Sequence, residues 1–134
     1  MPRIWTHSEA FAAFGTKPRN VRWSWSARNE EKKIVVATLW HDQFKRRNGR
    51  IVYEGEGRLP AEKKRPGLTE WVENLAWAED HCAGRLSVII AVAKDQHANP
   101  RAILDCVPTM LVMRLVRLNR TTGRFLAEAE RPRS

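Results

Sequence analysis

The chain has 134 residues, enough for one domain with a sizeable core. An apolar share of 43% argues against a disordered chain, and the longest apolar run, LSVIIAVA at 86–93, is too short to cross a bilayer. A net charge of +9 favours a polyanionic partner, and six Trp against one Tyr is unusual for any class.

In chain order, Thr6 and Glu9 have capping-box spacing, so a short helix is expected over 7–14, closed by Gly15. Residues 20–28 alternate as a strand, and so do 33–45, with a polar turn from Arg28 to Glu31 between them. Asn48-Gly49 is a strong hairpin signal and leads into 50–57. Residues 20–57 therefore read as a three-stranded antiparallel meander whose middle strand is long enough to bend or to serve two sides of a barrel. A basic loop with two prolines follows at 58–67, then a helix over 68–83 with Gly84 as its stop. Leu68, Trp71, Val72, Leu75, Ala78 and Cys82 share its apolar face, whereas Trp77 projects among Glu70, Glu73, Asp80 and His81 as an exposed aromatic.

LSVIIAVA reads as a central strand covered on both faces. Residues 101–107 form another strand, stopped by Pro108. Residues 110–118 and 124–130 complete the strands, joined by the turn at 119–123. The expected fold is α+β in a single domain over 1–134. It has a curved, mostly antiparallel sheet or small barrel with two flanking helices.

Three constellations carry chemical possibilities. Trp23 and Trp25 share one face of a strand, Trp40 lies on its neighbour, and Ser24 and Ser26 occupy the opposite face. The indoles can fill a core or line a slot for a flat ligand, with Ser24, Ser26, His41 or Asp42 at its edge. His41 and Asp42 form the second: a base beside its orienter, though adjacent strand residues point apart. No metal-ligand spacing accompanies them, and no cofactor is expected. The third is the basic residues. Lys45, Arg46, Arg47 and Arg50 flank the hairpin, Lys63, Lys64 and Arg65 sit in the proline loop, and Arg114, Arg117, Arg120 and Arg124 surround the last turn. Long cations on loops suit phosphate contacts.

The RWSW strand, the long KIVVATLW strand and the helix after them resemble, as architecture over 20–129, the PUA-like superfold that includes EVE, ASCH and YTH domains. The resemblance implies a small curved barrel with an aromatic-lined pocket for a modified or flipped base beside a basic surface. The expected function is thus a nucleic-acid-binding module, DNA or RNA, more a binder than an enzyme. The alternatives are a nucleic-acid hydrolase using His41 and Asp42, or a protein-interaction domain, self-associating or not, anchored by Trp77. Cys82 and Cys106 make no disulfide framework, and the N-terminus has no long apolar stretch, so no signal peptide, no membrane and a cytoplasmic setting are expected.

Overall fold

A computed structural model describes residues 4–19, 24–55, 66–95, 97 and 103–130, with 66–68 as backbone alone. Trp23, the start of the 20–28 strand, the proline loop with Lys63, Lys64 and Arg65, and the tail from 131 lie outside the described residues. The elements are α1 (His7–Ala13), β1 (Ser26–Asn29), β2 (Ile34–Trp40), β3 (Phe44–Arg47), β4 (Arg50–Gly55), α2 (Pro66–His81), β5 (Arg85–Ala93), β6 (Ile103–Leu118) and β7 (Phe125–Ala129).

Local signals act where expected. The Thr6 hydroxyl accepts from the Glu9 N–H at 3.1 Å, and the Glu9 carboxylate accepts from the Thr6 N–H at 2.9 Å, so two orphan donors of α1 are satisfied reciprocally. Asn48 and Gly49 sit at φ 51° and 77°, the two left-handed positions that a two-residue hairpin loop needs. Helix α2 ends on Ala83 and Gly84 at φ 55° and 77°, and the Gly84 N–H closes the last turn on the Ala78 carbonyl at 2.9 Å.

The seven strands form one sheet in the order β1-β2-β5-β6-β7-β4-β3. Five pairings are antiparallel. The sixth, β2 with β5, is parallel, with Val36 beside Ser87 and Trp40 beside Ala91. The expected meander over 20–57 does not form. The stretch 33–45 breaks at His41–Gln43, and its two parts join opposite ends of the sheet. The apolar β5 takes the place beside β2 because it can bury both of its faces there.

The two segments flanking Pro108 are likewise one strand of 16 residues. Pro108 pairs with Ile89 beside a bulge, in which residues 109–111 oppose Val88. The Thr109 hydroxyl donates to the Val88 carbonyl at 2.8 Å and accepts from the Leu111 N–H at 3.2 Å. A bulge is one of the few places in a sheet where a residue without an N–H fits.

The sheet is curved but not closed into a barrel: β1 and β3 end it and do not pair with each other. Its concave side gathers Val35, Ala37, Leu39, Tyr53, Leu86, Val88, Met113, Phe125 and Ala127 from five strands, capped by Leu75 and Ala78 of α2. On the convex side Ala10 and Phe11 of α1 cover Ala27, Val36, Ile89 and Cys106. Gly55 is confined by close approach: the Phe125 ring of the paired strand occupies the space a Cβ would need.

Candidate nucleic-acid interface

Strand β1 and the residues before it carry opposite chemistry on their two faces. Ser24 and Ser26 point to α2 and are sealed beneath it. The Ser24 hydroxyl donates to the Glu70 carboxylate, which also accepts from the Arg19 N–H at 3.0 Å. The Asn74 amide donates to the Ser26 hydroxyl at 2.9 Å and accepts from the Arg28 guanidinium at 3.2 Å. Glu70 and Asn74 are only 2% and 3% exposed, so their hydrogen bonds are what make their burial tolerable. The two serines thus hold α2 to β1 and do not line a ligand slot.

The other face carries Trp25. Its backbone carbonyl accepts from the Thr38 N–H at 2.9 Å, and its ring meets Trp40 at 5.3 Å between centroids with the planes 48° apart. His7 closes the group, edge-on to Trp25 at 5.7 Å and stacked on Phe11 at 4.5 Å. Its Nε2 hydrogen-bonds the Thr38 hydroxyl at 2.7 Å, and burial pushes its pKa down to about 4. Aromatic centroids at this separation are already in contact, so no flat ligand can lie between Trp25 and Trp40. The structure brings these two indoles together as expected, but as packing between α1 and the sheet.

Trp77 is half-buried against the concave core, not exposed as the helical wheel suggests. The Arg28 guanidinium lies over its ring at 5.6 Å from the centroid, and the His81 ring meets it at 4.6 Å with the planes tilted by 34°. Every described tryptophan (Trp5, Trp25, Trp40, Trp71 and Trp77) is half-buried.

His41 and Asp42 fall in the turn after β2, which brings Nδ1 within 4.0 Å of Oδ1. The His41 N–H donates to the Ala91 carbonyl at 3.0 Å, fixing that turn beside β5. Among the described residues no group of three or more His, Cys, Asp and Glu side chains is placed to hold a metal ion. Burial raises the thiol pKa of both cysteines, that of Cys106 to about 11, which makes them poor nucleophiles.

The cations divide sharply. Arg47 pairs with Glu54, Arg50 with Glu128 at 2.9 Å, and Arg120 with both Glu79 and Asp80 at 3.0 and 2.9 Å. Arg120 holds the exposed Asp80 carboxyl below the usual carboxylate range. Lys45 and Arg46 are exposed and make no ion pair among the described residues, and the same holds for Arg114, Arg117 and Arg124.

Two hollows reflect this division. One, of about 170 Å³, has Arg50 and Arg114 facing Glu128 and Glu130, so its charge is balanced from within. The other, of about 320 Å³, is lined by Phe44, Ile51, Ile90 and Leu111 together with Lys45 and Arg46, so among the described residues it has cations but no acid. Its walls come from β3, β4, β5 and β6, which are not all neighbours; only the curvature of the sheet brings them together.

The hairpin cations were legible from their run in the sequence. Phe44 was visible only as the end of a long strand. Ile90 and Leu111 gave no signal beyond apolarity. Comparison with protein-family models, with curated proteins and with solved structures finds no match. Among the described residues no helix is long and apolar enough to cross a membrane.

Proposed function

We propose that this protein is a nucleic-acid-binding module that meets the phosphate backbone along the β3–β4 hairpin. The observation that carries the reading is the exposed, acid-free pair Lys45 and Arg46 at the β3 edge of a chain with net charge +9. Cations already committed to carboxylates must give up those partners before they can hold a phosphate. Lys45 and Arg46 need not, so their contribution to phosphate binding is undiminished. They lie on β3, the last strand of the sheet, paired with Val52 and Ile51 of β4 on its one hydrogen-bonded side.

This reading sets aside the tryptophan slot and keeps the electrostatics. Trp25 and Trp40 contribute by fixing α1 on the sheet, and Ser24 and Ser26 by fixing α2. Asp42 stands two residues before β3, where a carboxylate would repel phosphate rather than bind it.

The test is a binding titration of the protein against single-stranded and duplex oligonucleotides across a salt series. The expected result is binding at low salt that weakens linearly in log–log form as salt rises. Absence of binding at low salt, or affinity indifferent to salt, contradicts the reading.

A further inference from the structure

The electrostatic reading leaves the 320 Å³ cleft without a role. Its volume is at the lower end of what ligand sites enclose, room for one small flat body. Phe44, Ile90 and Leu111 are half-buried against the concave core, so the walls are backed by packed side chains. The Phe44 ring is held edge-on by Tyr53 at 5.0 Å. The Tyr53 hydroxyl donates to Gln43 at 3.0 Å and accepts from the Trp40 N–H at 3.2 Å, so the residue that orients Phe44 is itself fixed. Lys45 and Arg46 follow Phe44 directly in β3 and line the same cleft.

An apolar, ring-bearing cleft whose described lining has cations and no acid matches one kind of occupant: a flat, weakly polar body attached to an anion. A nucleobase with its flanking phosphate is such a body. It is offered this way only where it is not paired, because in a duplex its faces are stacked and its phosphates lie outside.

Resting on the nucleic-acid reading above, we propose that the cleft receives one unpaired nucleobase, placed against Phe44 between Ile90 and Leu111, while Lys45 and Arg46 hold the phosphates on either side. The protein then prefers single strands to duplexes, and its preference resides in the cleft rather than in its charge. Base–aromatic contact of this sort is tolerant of sequence, so no strong base preference is expected.

The experiment compares a short single-stranded oligonucleotide carrying one 2-aminopurine, the same strand with an abasic site there, and the corresponding duplex, all at one salt concentration. The expected result is a change in 2-aminopurine emission on binding and an affinity for the single strand roughly tenfold above that for the duplex. Phe44→Leu, which keeps apolar volume but removes the ring, is expected to erase most of that preference while leaving the salt dependence as it was. Changes confined to the oligonucleotide cannot be confused with a folding defect in the variant. Salt-dependent binding with equal affinity for single strand and duplex, and unchanged emission, overturns the cleft proposal and leaves the electrostatic reading standing. No salt-dependent binding to any of the three overturns both.

Discussion

The two ends of the sheet are built from similar residues and put them to different use. At the β1 end both helices lie over the strands, and the polar and charged groups packed beneath and beside α2 find partners within the chain. Arg28 meets Glu30, Asn74 and the Trp77 ring, Arg19 meets Glu73, and Ser24 meets Glu70. At the β3 end neither α1 nor α2 makes a principal contact, and Lys45 and Arg46 keep their charge to themselves. A high net charge is therefore not a site in itself. What marks a site is the subset of cations that the fold leaves without acids, next to a concavity that it leaves unfilled.

The contrast can be broken most severely from the β1 end. Phe11→Ala removes a ring with no exposed surface from the seam between α1 and the sheet, and about 3–5 kcal/mol of stability is expected to go with it. Chemical denaturation measures this directly. The expected loss at Phe44, at the other end, is smaller, because Phe44 is only half-buried.

Acid attacks the same seam. The neutral form of His7 is favoured in the fold, its pKa lowered from 6.5 to about 4 by burial. Stability from this group is complete above pH 6.5 and is lost as pH falls from there towards 4, by roughly 3 kcal/mol at most. A His7→Gln variant is expected to show a shallower loss over that window than the wild type; identical slopes would remove His7 from the account. Asn74→Ala strips the Ser26 hydroxyl and the Arg28 guanidinium of a partner beneath α2 and is expected to cost about 1–3 kcal/mol in the same assay.

How much of this contrast was legible depends on how far apart in the chain its parts lie. The capping box at Thr6 and Glu9, the Asn48-Gly49 turn and the Gly84 stop are decided by a few neighbouring residues, and all were readable. The break of 33–45 was not, because β5 pairs with β2 from 51 residues further along the chain, as in Val36 beside Ser87. Pro108 read as a strand stop because the bulge that admits it exists only against β5.

Glu70 read as part of a polar face because a helical wheel assumes one buried face. Helix α2 is covered on two sides, the second by the serine face of β1. The hairpin cations looked uniform because Glu54 and Glu128, which claim Arg47 and Arg50, are set by strand pairing and not by proximity in the chain.

The β3 end should respond in the opposite manner, with little change in stability and a large change in binding. Lys45→Glu combined with Arg46→Glu is expected to stay within about 0.5 kcal/mol of the wild type in denaturation, since both side chains are exposed. The most direct measurement of the central claim is the salt slope of single-strand binding for this double variant, the wild type and Arg120→Gln. If Lys45 and Arg46 each hold one phosphate, the double variant's slope falls by about 1.4. Arg120→Gln, whose guanidinium is held by Glu79 and Asp80, keeps the wild-type slope. Equal slopes for the wild type and the double variant, or the same loss in Arg120→Gln, would contradict the assignment of binding to the β3 end.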